Sequence, residues 1–286
     1  MFEVASTDRE FIAMAERVLG HSTDLPARGP CCRWRVEPGA AADSWVISAY
    51  GAGDTVLRTF QCADRERALH TVEWDALAHL IDDSHDVVAV HAALLSRDGR
   101  GLVIVGPSFS GKSTLAIALW RSGWTLHGDE CVFLHGDSAS GVAARRRISL
   151  RDSGRDLVGE QLWQRIQRAP SCIRSDKGYV FHAHELDGRS SRSSAQVEAI
   201  VFLARREGQA APAITSLMNP AGAALALLPY AHKTRTLPFV EAMRQISPLA
   251  EKIPGYDFGR GKPEDMVWTI DAMFDAGKRA AVVGWA

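Results

Sequence analysis

Apolar positions along this chain recur at two spacings, and the spacing changes at about residue 84. Over residues 7–20, Phe11, Met14, Ala15, Val18 and Leu19 fall on one face of a helix, with Thr7 and Glu10 set as a capping box. Alternation then predicts three short strands at 31–37, 44–50 and 54–60. Pro38-Gly39 and the Gly51–Asp54 segment break them, the pattern of a small meander. Residues 64–82 return to helical spacing, with Leu69, Val72, Trp74, Leu77, Leu80 and Ile81 as a broad apolar face, and Asp82-Asp83-Ser84 closes it. We therefore expect a small α+β module over residues 1–84 and a second domain over 85–286.

Beyond residue 84 the strands become dense. VVAVHAALL (87–95) and LVIV (102–105) read as buried strands joined by the turn Ser96–Gly101. A helix is predicted from Lys112 to Ser122, closed by Gly123. Further strands are expected near 130–134, 139–148, 178–182 and 197–204, and helices at 220–228, 238–251 and 263–276. In the last helix Pro263 suits the first turn and Glu264 and Asp265 suit its dipole. The class is α/β.

Charge narrows the function. Thirty-three basic and 34 acidic residues leave a net charge of −1, which excludes a globally basic nucleic-acid binder. With 46% apolar residues, the chain is no disordered or collagen-like polymer. The start, MFEVASTDRE, does not read as a secretory signal, and the apolar run at 221–228 is too short to span a bilayer. Five cysteines, at 31, 32, 62, 131 and 172, form no C-x-x-C pair and read as reduced thiols in the cytoplasm. Small strand residues are the preferred reading of Cys31 and Cys32. Only 6 of the 33 cations are lysines, so a lysine in a phosphate-binding context stands out.

One does. Gly106-Pro107-Ser108-Phe109-Ser110-Gly111-Lys112-Ser113-Thr114 fits G-x-x-x-x-G-K-[ST] between a strand and a helix. The glycines permit unusual backbone angles and leave room for phosphate. The loop N–H groups and the helix N-terminus stabilise anionic oxygens. Lys112 supplies a point charge to the β- and γ-phosphates, and Ser113 offers a hydroxyl to Mg²⁺. Asp129 and Glu130 follow at the expected start of the next strand. Phosphoryl transfer needs a carboxylate for metal and a base for the acceptor, and this pair supplies both. The expected metal set is Ser113, Asp129 and Glu130. His91, in the strand before the loop, is placed to point into the phosphate site.

The order of these features resembles the catalytic domain of HPr kinase/phosphorylase and its relatives with the phosphoenolpyruvate-carboxykinase-like fold. The resembling run spans residues 90–134, VHAALLSRDGRGLVIVGPSFSGKSTLAIALWRSGWTLHGDECVFL. It holds His91, the turn 96–101, the loop 106–114, Arg121-Ser122-Gly123 and the acidic pair Asp129-Glu130 in family order. Looser similarity at 148–158, 199–208 and 246–261 extends it to shorter relatives associated with peptide modification, including kinases of lasso-peptide precursors. The resemblance implies a P-loop kinase core with a mixed sheet, Asp129 as proton acceptor, Ser113 and an acidic residue on Mg²⁺, and a supporting His91. Two features depart from the family. No E-I-R-G segment follows the acidic pair, and that pair is Asp-Glu rather than Asp-Asp. The forward kinase reaction needs neither feature, whereas the phosphorylase reaction and HPr as substrate draw on them.

The expectation is thus an ATP- and Mg²⁺-dependent kinase acting on a serine of a peptide or protein, without nucleic-acid or membrane partners. A small-molecule hydroxyl kinase and a nucleotide-binding regulatory ATPase are the alternatives. The first 84 residues are expected to recognise a peptide through a sheet edge or to form a homo-oligomer contact. Lesser candidates are Arg145-Arg146-Arg147 as a phosphate or acidic-peptide contact or a solvated strand edge, and Arg151 as a γ-phosphate contact. The others are the 188–195 loop as a lid, His232 and Lys233 as a substrate contact or surface turn, and His182, His184 and Glu185 as a metal set.

Overall fold

The structure is a computed structural model that describes residues 2–19, 32–51, 54–84, 86–144, 146–175, 178–186, 188, 194–203, 214–233, 237–259 and 261–283. The chain begins with β1 (Phe2–Ser6), α1 (Arg9–Leu19), β2 (Cys32–Pro38), β3 (Trp45–Tyr50), β4 (Val56–Cys62) and α2 (Arg65–Asp83). Strands β2, β3 and β4 form the expected antiparallel meander, and β1 adds to it as a parallel edge strand. The helix α1 is capped not by Thr7 but by Asp8, whose Oδ1 accepts from Phe11 N at 2.6 Å. A carboxylate is at least as good a cap as a hydroxyl and also favours the helix dipole. Phe11, Met14 and Val18 of α1 pack with Trp34, Val36 and Ile47 of the sheet and Leu69 and Val72 of α2.

Helix α2 serves two cores. Its first half covers the small sheet. Leu77 and Ile81 instead pack with Ala89, Cys131, Phe133 and Ala144 of the larger sheet. Buried polar contacts fix its roll. Asp75 accepts from Trp34 Nε1 at 2.8 Å and pairs with Arg58 at 3.0 Å.

The remainder runs β5 (Val87–Val90), β6 (Ala92–Arg97), β7 (Arg100–Val105), α3 (Lys112–Arg121), β8 (Thr125–Asp129), β9 (Val132–His135), β10 (Ser140–Ala143), β11 (Ile148–Leu150), α4 (Arg155–Val158), α5 (Glu160–Gln167), β12 (Ile173–Ser175), β13 (Gly178–Phe181), β14 (Ser194–Leu203), β15 (Ile214–Leu217), α6 (Pro220–Leu227), α7 (Phe239–Lys252), β16 (Gly255–Phe258) and α8 (Pro263–Val283). A nine-stranded mixed sheet has the order β5-β9-β10-β14-β7-β6-β8, with β16 on β14 and β15 on β16. A third sheet is β11-β13-β12.

The period-2 rule explains the layers. In β6 and β7, Leu95, Leu102 and Ile104 face one side, with α3 and α8, while Leu94, Val103 and Val105 face the other, with α6 and α7. Trp120 and Trp124 are buried on the α3 side, and Trp124 donates through Nε1 to Asp271 Oδ1 at 2.9 Å. Both therefore pack.

Three expected strands divide or move. Residues 87–95 are two strands, broken at His91: β5 pairs with β9, and β6 pairs with β7 and β8. Residues 139–148 split into β10 and β11. The strand placed near 130–134 is β9, and β8 precedes it, so Asp129 ends a strand instead of opening one. Among the described residues, no helix is long and apolar enough to cross a membrane.

Candidate functional site

The loop of 106–111 leaves the C-terminal end of β7, a central strand. The following helix starts at Lys112, capped by Gly111 at φ 94°. That angle lies in the left-handed region, and nothing stands within 4 Å of where a Cβ would be. At Gly106 a Cβ would lie 2.5 Å from Ser110 Oγ and 3.0 Å from Leu203 Cβ, so this glycine lets the loop fold tightly over the sheet edge. Ser110 N donates to Pro107 O at 3.1 Å. The Ser110 hydroxyl is buried without a hydrogen-bond partner. Phe109, at φ 68°, projects outward and carries the Arg151 guanidinium over its ring at 4.3 Å.

Sheet order brings the acidic pair to the loop. Strand β8 lies beside β6, which lies beside β7. Lys112 Nζ, 7% exposed as a residue, donates to Asp129 Oδ1 at 3.1 Å, and Asp129 is 4% exposed. Glu130 comes next and turns toward the open pocket. Burial pushes the Glu130 carboxyl upward and the Asp129 charge adds to this, while Lys112 and Arg146 oppose it. The His91 ring nitrogen Nδ1 lies 3.0 Å from Glu130 O and 3.6 Å from Glu130 Oε2. The break between β5 and β6 is what lets this histidine reach Glu130. His91 N donates to Tyr230 O at 2.8 Å, which holds the break open.

The pocket has a volume of about 870 Å³. The loop residues Pro107, Ser108, Phe109, Gly111, Lys112, Ser113 and Thr114 form one wall, with His91 and Glu130 beside them. Asp129 lies behind this surface, against Lys112. Helix α2 also lines the pocket, through Glu66, Arg67, His70, Glu73 and Trp74, together with Arg146, Arg147 and Arg151. The first 84 residues thus contribute directly to the pocket.

Sequence reasoning missed this lining. Trp74 was expected in the apolar face of its helix, yet it is 37% exposed, and its Nε1 lies 3.1 Å from His70 Nε2. The solvated-edge alternative for the arginine run is corrected at Arg147. Arg147 is buried in a bidentate pair with Glu73, Nε–Oε1 3.1 Å and Nη2–Oε2 2.6 Å. Arg145 lies outside the described residues, as do Cys31 and the arginines of the 188–195 loop. Lys233 donates to Asp82 O at 3.0 Å and to Ser84 O, and so ties the end of α2 to the core.

The remaining metal candidates are used structurally. His182 Nε2 lies 2.9 Å from Val18 O, and Glu185 accepts from Ser171 N at 3.1 and 3.2 Å and from its hydroxyl at 2.6 Å. Among the described residues no group of three or more His, Cys, Asp or Glu is arranged to hold a metal ion. The loop suits a different arrangement. Mg²⁺ takes one or two carboxylates and completes its shell with phosphate oxygens and water. Ser113, Asp129 and Glu130 fit that partial set, and the partnerless Ser110 hydroxyl, the open left-handed Gly111 and the buried ammonium fit phosphate.

No family model matches the chain, and no curated protein does. Among solved structures it is similar to the HPr(Ser) kinase/phosphatase from Coxiella burnetii, at 14% identity and a TM-score of 0.39, over 68% of this chain and 97% of that one. A likeness at this level assigns neither activity nor substrate.

Proposed function

We propose that the chain is a kinase that transfers the γ-phosphate of ATP to a hydroxyl, with a serine of a peptide or protein as acceptor. One observation carries this reading. A lysine at the first turn of the loop helix is buried against one carboxylate, a second carboxylate lines the pocket beside it, and a separate helix lines the same pocket. A nucleotide-binding loop alone does not require the last two features; phosphoryl transfer between two substrates does.

When bound, MgATP supplies the phosphoryl group and a metal that neutralises its developing charge. Lys112 and the loop amides hold phosphate oxygens. Ser113 and Glu130 would hold the metal. Asp129 keeps the Lys112 ammonium in position, and its role as proton acceptor requires the acceptor hydroxyl to reach past the pocket surface to its carboxylate. His91 orients Glu130. The acceptor lies between the loop and α2, so residues 1–84 act as the recognition module. The reading carries a cytoplasmic setting.

Co-expression with neighbouring-gene products, followed by mass mapping of phosphoserine, tests the acceptor. Asp129→Asn abolishes transfer and keeps ATP binding, whereas Lys112→Ala loses both. Full transfer by the Asp129 variant overturns the assignment. The pocket volume also fits a drug-sized molecule, since such sites run to roughly 300–1,000 Å³. ATP consumption stimulated only by a metabolite favours that second reading.

A further inference from the structure

Arg146 has a role that the kinase chemistry above leaves unassigned. Its guanidinium lies over the Trp74 ring at 4.2 Å, and both residues line the pocket. Its Nε and Nη1 are sealed from solvent and have no hydrogen-bond partner. Its neighbour Arg147 has taken the Glu73 carboxylate in two hydrogen bonds. Glu73 and Glu130 lie close enough to act on Arg146 through charge, but neither bonds to it. A buried charged donor left unbonded is costly, and a guanidinium is a planar fork shaped for an oxyanion. Stacking on an indole fixes the plane of that fork without using its donors. The lining of the pocket that holds the phosphate loop thus includes an indole-stacked cation with two unmade hydrogen bonds.

We propose that Arg146, held on Trp74, seats an oxyanion, a phosphate or carboxylate borne by the acceptor substrate. Binding requires the side chain to turn, because Nε and Nη1 are sealed where they stand. Arg147 cannot serve, because Glu73 already fills its fork. Lys112 cannot serve either, because its ammonium is held by Asp129 within the phosphate loop. The assignment to the acceptor side rests on the kinase reading; the oxyanion site itself does not.

Inorganic phosphate is the probe, titrated calorimetrically into the full chain saturated with Mg²⁺ and a non-hydrolysable ATP analogue. The analogue fills the loop, including the γ position. Phosphate is expected to bind, and Arg146→Gln is expected to weaken it by about 10- to 100-fold, the effect of losing charge-assisted hydrogen bonds. The same variant keeps its affinity for the analogue. Arg146→Lys, which retains charge but not the fork, is expected to fall between the two and serves if the glutamine variant fails to fold. Acetate in place of phosphate tells a carboxylate seat from a phosphate seat. Competition between phosphate and the analogue places the anion at the γ position and overturns the proposal. So does phosphate binding that is absent, or unchanged in Arg146→Gln. If the analogue itself does not bind, the kinase reading has failed. Phosphate titrated into Lys112→Ala, with and without Arg146→Gln, then decides the Arg146 site alone.

Discussion

The bidentate pair between Arg147 and Glu73 joins the wall of the pocket to the core, and its removal has a calculable effect. The two side chains are 4% and 7% exposed. Two hydrogen bonds between full charges, at about 1.5–3 kcal/mol each, give roughly 3–6 kcal/mol. Breaking a buried pair by deleting one partner costs about 3–5 kcal/mol, because the survivor is left charged and unpaired. The two deletions differ in kind. Arg147→Met leaves Glu73 facing Arg146, whereas Glu73→Leu leaves two adjacent cations whose remaining carboxylate neighbours, Glu130 and Glu66, act on them without bonding to them. Glu73→Leu is therefore the more damaging. The double variant replaces the pair by apolar side chains and costs less than either single change. Equilibrium urea unfolding of the four proteins measures this directly. Single variants that lose under about 1 kcal/mol, with the double variant simply additive, refute the reasoning, since an exposed or unformed pair behaves that way.

Two further predictions concern titration. Burial pushes the Cys131 thiol up to about 12. At pH 8 it is almost wholly protonated, so iodoacetamide modifies it only after unfolding, as mass mapping of alkylated peptides checks; labelling of Cys131 in the native chain contradicts this. Burial lowers the pKa of His182. Below the ordinary histidine value of about 6.5 the unfolded chain then binds the extra proton, so stability falls as pH falls from there toward the lowered folded value. His182→Gln removes this slope, measured as urea midpoints across that range, and an unchanged slope in the variant sinks the attribution.

Much of the core was legible because local chemistry and packing agree there. The run LVIV, the glycines of the loop and the apolar face of α3 all demand the strand–loop–helix that forms. The same held for the meander and for α2 as an element. What the sequence concealed was mostly long-range. Strand β8 reads as polar, TLHGD, yet its last four residues are buried. Its histidine is satisfied by a partner 31 positions away, His127 Nε2 to Ser96 Oγ at 2.8 Å. Strand β1 is five residues long and largely exposed, so no alternation marks it. The chain break at His91 is set by pairing to two different neighbours, which no local pattern encodes. The α2 wall was hidden for the same reason. Helical spacing marks Trp74 as one of a broad face, and only the partner Arg146, 72 positions on, shows that this side chain borders a pocket. The site was therefore read from the loop and the acidic pair only, while the α2 lining depended on contacts between distant segments.

The claim at the centre of this account is that one pocket binds ATP through Lys112 and passes its phosphate on through Asp129. ATP labelled at the γ position, added with Mg²⁺ and a serine-bearing acceptor to the wild type, Lys112→Ala and Asp129→Asn, reads binding and transfer in the same samples. The expected result is both for the wild type, binding alone for Asp129→Asn, and neither for Lys112→Ala. ATP bound equally well by Lys112→Ala, or label transferred undiminished by Asp129→Asn, would contradict it.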